Sequence, residues 1–420
     1  MLTHLTQIAT WVLCIAVFVL ILWRPRRIPE SVWAVAGAVL LVVFRLLAPD
    51  QAWAAVRAGT SVYLFLAGMM LLAELARQHG VFDWLAAVAM EHSKGSQVRL
   101  FILVYSIGIV VTALLSNDAT AVLLTPAVLA VVRRTKTSPL PYLFACAFVA
   151  NTASFVLPIS NPANLVVFDG HLPSLGQWLH LFFLPAVVAI LATFAVLFWH
   201  SRRDLHPPMQ NGTPPAALSP MGRRAALGVV LAAGALLVTS AMGGPIGPAT
   251  FAAGLLAMLF VAGRQMRVMF NALRAISWGV LPLVAGLFVL VEALKTAGAL
   301  AFSVHGLETA AHSSPVVGLS AVALSFGVMA NAINNLPMGL IGAGAVSAAH
   351  SSLAMHAAVL LGINLGPNLS VTGSLATILW LIAVRREKIE ITGWHFLRVG
   401  LVVMPPALLL AVLALGWAAR

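Results

Sequence analysis

"AGMMLLAELARQHG" (Ala67 to Gly80) can be laid on "AGLFVLVEALKTAG" (Ala285 to Gly298) without a gap. The opening Ala-Gly, Leu72 with Leu290, Glu74 with Glu292, the bases Arg77 and Lys295, and the closing Gly80 with Gly298 coincide at an offset of 218. Near that offset "SNDATAVLL" (Ser116 to Leu124) meets "INNLPMGLI" (Ile333 to Ile341), pairing Asn117 with Asn334 and Asp118 with Asn335. Further on, "NTASFVLPISNPANL" (Asn151 to Leu165) meets "NLGPNLSVTGSLATI" (Asn364 to Ile378) at an offset of 213. One match of this kind is cheap, but three in order are not. The chain reads as a duplication of roughly 200 residues.

Composition says where the two copies sit. Hydrophobic residues make up 61% of the 420-residue chain and charged ones 9%, with a mean hydropathy of +0.99. A soluble domain carries about a quarter charged residues, so this chain cannot cover a water-facing surface. Apolar runs recur near 8–23, 31–48, 60–77, 140–168 and 177–200, then near 225–241, 248–263, 277–297, 357–384 and 396–418. The expected class is an all-α polytopic membrane protein. The run 8–23 has no basic segment before it and is followed by Arg24, Arg26 and Arg27, the reverse of a signal peptide, so it reads as the first span. The formal charge of +12 lies in short loops, which is a topology signal and not a nucleic-acid site. Cys14 and Cys146 stand in different apolar runs, with neither metal-ligand spacing nor a credible disulfide. Most of the twelve histidines, among them His79, His92, His312 and His350, fall at loops and span ends and read as interfacial. No phosphate-loop, H-E-x-x-H or G-x-S-x-G motif occurs, so neither an enzyme nor a cofactor is expected.

Between the third and fourth run of each copy lies a longer apolar stretch with a polar tip, at 100–132 and 316–350. If each is a re-entrant hairpin, the bases of "RPRR", the 77–99 loop, "RRTK", "SRRD" with "GRR", "GRQMR" and "RREK" all fall in the cytoplasm, and only Arg45 and Arg57 are exceptions. Five spans per copy is an odd number, so the second copy is inverted. The expected domains are a first repeat over 1–200, with a cytoplasm-entering hairpin at 100–132 and a broken helix at 140–168. A polar cytoplasmic linker over 201–224 needs no structure of its own. The second repeat runs over 225–420, with its hairpin at 316–350 and broken helix at 357–384. Inverted repeats with broken helices mark secondary transporters whose site lies near the midplane.

Four polar breaks supply that site. The first is the tip of "LLSNDATAVLLTP" (Leu114 to Pro126), with Ser116, Asn117, Asp118 and Thr120. The second, "ANTASFVLPISNPANLVVF" (Ala150 to Phe168), holds Asn151, Ser160, Asn161 and Asn164 around Pro158 and Pro162, which cannot continue a helical ladder. The third, "MANAINNLPMG" (Met329 to Gly339), holds Asn334 and Asn335. The fourth, "GINLGPNLSVTGSLAT" (Gly362 to Thr377), holds Asn364, Asn368, Thr372, Ser374 and Thr377. Irregular backbone at that depth is tolerated only where it lines a cavity or is buried in protein. Asn, Ser and Thr also glue helices together in membranes, but four clusters at corresponding places favour a ligand site. Asp118 is the sole acid among them, and it is assigned either proton coupling or the capping of the second hairpin arm. Glu74 and Glu292, beside Arg77 and Lys295, read as structural ion pairs.

The S-N-x-x-T tip, the N-N-L-P hairpin and "LGPNLSVTGSLATILWL" (Leu365 to Leu381) resemble the arsenite efflux permeases of the ArsB type, in the ion transporter superfamily that also holds dicarboxylate/sodium symporters. The resemblance covers nearly the whole chain. It implies a scaffold domain plus a transport domain carrying two opposed hairpins and two broken helices. It implies export of arsenite or antimonite, as the neutral trihydroxide, in exchange for protons across a bacterial-type inner membrane. The cavity would be built from the tip and broken-helix residues named above. The sodium symporters resemble this chain with Ser-Asn-Thr at both tips; here Asp118 and Asn335 hold the third position, which suits a proton better than sodium. Asn151 stands where these permeases often carry an acid. An ATP-driven mode would need a separate soluble ATPase subunit. A lone buried thiol is usually a small apolar filler, so Cys146 is not expected to bind arsenic. The alternative is a sodium- or proton-coupled exchanger of another small solute or anion.

Overall fold

The computed structural model describes residues 2–135, 137–168, 170–206, 209, 217–263 and 265–419. Among them there is no strand, and twenty α-helices fall into two runs of ten. The first run is α1 (Leu2–Trp23), α2 (Glu30–Val43), α3 (Pro49–Ala58), α4 (Thr60–Gln78), α5 (Val81–Ser93), α6 (Gln97–Leu114), α7 (Thr125–Arg134), α8 (Leu140–Thr152), α9 (Pro162–Val167) and α10 (Leu175–Ser201). The second is α11 (Pro220–Ala241), α12 (Ile246–Ala262), α13 (Met266–Ala275), α14 (Val280–Thr296), α15 (Ala299–Ala311), α16 (Pro315–Ile333), α17 (Asn335–Ala348), α18 (Leu353–Leu365), α19 (Leu375–Arg386) and α20 (Gly393–Ala418).

The contacts of one run reappear in the other with partners exchanged. Helix α4 packs on α12 and α14 on α2; α6 packs on α8 and α16 on α18; α10 lies against its own counterpart α20. Aromatic contacts fix the direction of that last pair. Phe144, near the start of α8, packs on His395 and Phe396 at the start of α20, with centroids 5.2 and 6.1 Å apart. Tyr142, at the same end of α8, lies beside Phe101, which packs on Phe194 and Phe198 near the end of α10. The end of α10 therefore lies with the start of α20. The equivalent helices run antiparallel, and the halves are inverted.

The repeated Ala-Gly has a physical reason. A Cβ on Gly68 would collide with the Thr250 backbone where α4 crosses α12, and one on Gly254 would lie 2.8 Å from the Gly68 carbonyl. At the matching crossing of α14 on α2, a Cβ on Gly286 would lie 2.7 Å from the Ala34 carbonyl carbon. Helices in lipid associate largely through such close packing of small residues. The opposite faces stay apolar. On α1, Leu5, Ile8, Val12, Ile15 and Val19 are 50–63% exposed at three- and four-residue spacing, a stripe suited to acyl chains.

Among the described residues, eight helical stretches are long and apolar enough to cross a membrane, one of them made of α13 and α14 together. Two of them, α6 and α16, are hairpin arms: each ends where the chain reverses, at Leu115 and at Asn334. The 77–99 segment is not a loop, because α5 fills most of it and α15 repeats this in the second half. Helices α3 and α13 flank α4 and α14 and are likewise absent from a reading of apolar runs. All four have 10 to 13 residues, too few to span a bilayer. The linker is also more structured than its composition predicts. Leu205 and Met209 are buried, and the Met209 N–H donates to the Gly95 carbonyl at 3.3 Å. Pro207, Pro208 and residues 210–216 of the linker lie outside the described residues.

Candidate functional site

The first hairpin turns on three polar side chains. Leu115 leaves helical geometry (φ −112°, ψ −83°). Ser116 Oγ then accepts the Ala119 N–H at 3.1 Å, and Asn117 Oδ1 accepts the Asp118 N–H at 3.0 Å. These two side chains satisfy backbone donors of the new helical start. The Asp118 carboxylate caps nothing and has no hydrogen-bond or ion-pair partner among the described residues. Residues Ala119–Leu124 form a wide helical turn in which the Thr125 N–H reaches back to the Thr120 carbonyl. Pro126 follows and has no N–H to continue a regular ladder. Turns of this kind are frequent at functional sites. Thr120 itself is fully buried, 2.8 Å from the Thr112 hydroxyl, and joins the two arms.

The second tip turns at Asn334, which adopts φ +82° and ψ 155°. A side chain there costs about 1–3 kcal/mol. Its Oδ1 accepts the Leu336 N–H and its Nδ2 donates to the Thr372 carbonyl, both at 3.5 Å. Asn335 is buried at 4% exposure. Thr372 donates to the Asn331 carbonyl at 2.8 Å, so the tip and the second broken helix hold one another.

The asparagines of the broken helices bond across the repeats. Asn364 Oδ1 accepts from Asn161 Nδ2 (2.7 Å) and Ser154 Oγ (2.5 Å), and Asn364 Nδ2 donates to Asn164 Oδ1 (3.2 Å). Its repeat counterpart, Asn151, accepts from Ser374 Oγ (3.2 Å) and donates to Asn368 Oδ1 (3.1 Å). Asn368 donates in turn to Thr152 at 2.8 Å. Asn164 Nδ2 ties down the free carbonyls of Ser154, Leu157 and Pro158. Asn161 caps α9, and Ser374 with Thr377 forms a reciprocal cap on α19. Ser160 donates to the Ala113 carbonyl at 3.0 Å. All of these side chains are at most 2% exposed. The asparagine clusters expected to face a ligand thus face one another.

The open space lies beside this network. A cavity of about 130 Å³ is bounded by α4, the first hairpin tip and the starts of α9, α14 and α19. Phe65, Met69, Val122, Pro162 and Leu375 line its apolar walls. Of the residues predicted for the site, Ser116 and Asp118 line it; Asn334 lines a separate space of about 20 Å³ with Ile333 and Leu336. The cavity also holds Glu74, which forms the ion pair with Arg77 that the sequence predicts. Arg77 donates to it through Nε (2.8 Å) and a terminal nitrogen (2.6 Å), and Gln78 Nε2 through a third bond (2.7 Å). Among the described residues no Lys or Arg lines the cavity. Its Ala275 wall is shared with an open groove lined by Gln78, His79, Asn271 and Arg274. This is the end that the loop charges assign to the cytoplasm. Burial at that end lowers the pKa of His79. Cys14 and Cys146 are buried and do not border the cavity.

Comparison with known proteins gives this architecture a family. The family model described as "Citrate transporter" matches residues 18–387. The chain is 26% identical to an arsenical pump membrane protein of Escherichia coli over 95% of its own length and 96% of that protein's. An arsenical pump membrane protein of Yersinia enterocolitica matches at 26% over the same shares. An uncharacterized transporter of Mycobacterium tuberculosis matches at 27%, over 96% of both chains. The fold resembles the crystal structure of the Alcanivorax borkumensis YdaH transporter, described as having an unusual topology, with a TM-score of 0.57, 16% identity, and 87% of this chain and 86% of that one covered. Eight apolar helices and bacterial transporter relatives make it a multi-pass protein of the bacterial inner membrane. The chain belongs to the citrate transporter family of membrane transporters, and its match to arsenical pump membrane proteins at 26–27% identity along nearly its whole length makes it similar to the ArsB-type permeases.

Proposed function

We propose that the protein exports arsenite or antimonite from the cytoplasm in exchange for protons, by alternating access. One observation carries this reading: a cavity in which, among the described residues, the Asp118 carboxyl is the sole unpaired acid and no cation lines the wall. A neutral trihydroxide needs donors and acceptors without a counter-charge, and the Ser116 hydroxyl with the Asp118 carboxyl offers them. A citrate trianion would enter a cavity of the wrong sign, so the family's description is a weaker guide to substrate than the cavity. The names of the arsenical-pump relatives support the choice.

Proton exchange follows from Asp118. With its backbone neighbours capped by Ser116 and Asn117, the carboxyl is free to bind and release a proton as the cavity changes sides. Moving one charge inward per neutral solute exported is worth about 2.3 kcal/mol per 100 mV of membrane potential. That sustains a gradient of about 50-fold. The buried asparagine network is the frame that holds both broken helices in register. In this scheme the repeats span 1–200 and 225–420, joined by the linker 201–224. The hairpins and broken helices move against a scaffold of the other spans.

Uptake into everted vesicles tests the reading. Arsenite should accumulate, the accumulation should vanish when the pH gradient is collapsed, and Asp118→Asn should lose the pH-driven component. Accumulation that follows sodium instead, or persists in Asp118→Asn, would sink proton coupling through this residue.

A further inference from the structure

We propose that Glu74 is a specificity-determining residue: by masking the Arg77 guanidinium at the cytoplasmic mouth of the cavity, it keeps the cavity from admitting anions. This rests on the reading of the cavity as the path of an uncharged solute.

Three observations carry it. First, Glu74 lines the cavity that holds Asp118 and is only 8% exposed, whereas an ordinary span-end ion pair would sit in the headgroup layer. Second, Arg77 binds it through two nitrogens and Gln78 adds a third bond, so the carboxylate and the nearest guanidinium form one neutral unit. Two-nitrogen Arg–carboxylate pairs are the strong, geometrically fixed kind. Third, the inverted repeat keeps the same acid–base spacing on the counterpart of α4. Glu292 and Lys295 on α14 pair there at 3.5 Å. An accident of one helix would not recur on its counterpart.

The other charges near the mouth do not replace this one. Asp83 on α5 acts on Arg77 only through space. Arg274 and His79 face the outer groove and not the cavity. Removing the Glu74 charge would leave Arg77 as a bare cation beside a space of about 130 Å³. The Arg77 side chain is 48% exposed, so water screens part of its field. The expected gain in anion affinity is therefore about threefold to tenfold.

Two measurements test the proposal with citrate as the anionic probe. The first is arsenite uptake by everted vesicles with citrate outside; the second is thermal stabilisation of the purified protein by citrate. In the natural protein citrate should do neither. In Glu74→Gln it should inhibit uptake and raise the melting temperature, and in Glu74→Gln/Arg77→Gln both effects should disappear. Glu74→Ala, which also removes the carboxylate and keeps Arg77, should reproduce the citrate response and serves if Glu74→Gln does not fold. A folded Glu74→Gln or Glu74→Ala that is indifferent to citrate overturns the masking role, as does a double variant that still responds. Should the natural protein fail to carry arsenite, the substrate reading falls, and the stabilisation measurement still decides the role of Glu74.

Discussion

Truncating Asn364 is the sharpest test of whether the buried amides hold the fold or the substrate. Its side chain makes four hydrogen bonds, to Ser154, Asn161, Asn164 and the Leu360 carbonyl. In membrane interiors such bonds average about 0.6 kcal/mol each, so four give about 2.5 kcal/mol. The losses are uneven. Ser154 keeps its bond to the Asn151 carbonyl at 2.6 Å. Asn161 Nδ2 and Asn164 Oδ1 lose their partners inside a site at most 2% exposed. An orphaned buried group costs about 1–3 kcal/mol. Asn364→Ala should therefore destabilise the protein by about 2–4 kcal/mol. Reversible unfolding in mixed detergent micelles, followed through the buried Trp178 and Trp380, measures this directly. The folded fraction should retain the natural half-saturation for arsenite. A variant within about 0.5 kcal/mol of the natural protein, with altered saturation, would refute the framework role and return Asn364 to the ligand site.

Two further outcomes follow from packing. Gly68→Leu should destabilise the protein by about 3 kcal/mol, read as a lower melting temperature and a lower yield of folded protein, because its Cβ has the Thr250 backbone in its way and cannot displace it. The lipid-facing Val12→Leu, 63% exposed on α1, is the control and should be neutral. The Cys14→Ser/Cys146→Ser protein should keep full arsenite resistance in cells, since neither thiol borders the cavity. Loss of resistance at unchanged expression would restore a thiol to the mechanism.

What could be read from sequence was what the repeat preserves. Gly68 and Gly286 match because both mark helix crossings, and Glu74 and Glu292 match because each holds a base one turn on. The hairpin tips announced themselves because polar groups in an apolar run need a reason. Three things were not legible. Helices α3, α5, α13 and α15 are too short and mixed in polarity to stand out from loops. The cavity walls are Phe65, Met69 and Val122, side chains that look the same in a core. Sequence spacing also could not tell an amide aimed at a ligand from one aimed at another amide some 200 residues away. Asn364 with Asn161 and Asn151 with Ser374 are equivalent bonds made from opposite halves, and only the folded arrangement brings them together.

Equal halves with unequal mouths are what an exchange mechanism needs. Helix α17, the second arm of hairpin two, packs along α14 and α15, so close that a Cβ on Gly344 would lie 3.1 Å from the Leu300 and Lys295 side chains. Its counterpart, the second arm of hairpin one, meets α4 mainly through the turn Ala119–Leu124, and the cavity occupies the remaining gap. The sequence relation between the halves makes each arrangement available to the other. If hairpin one closed on α4 as α17 closes on α14, the Asp118 carboxyl would lose its opening beside Glu74. The facing gap would then open toward Glu292 and Lys295. On the proposed mechanism the frame of buried amides survives that exchange, because its bonds link the broken helices to one another and none of them reaches α4 or α14. In the proposed mechanism a rigid pair of broken helices would sit between two interchangeable mouths, and Asp118 would be the group whose protonation that exchange carries from one side to the other.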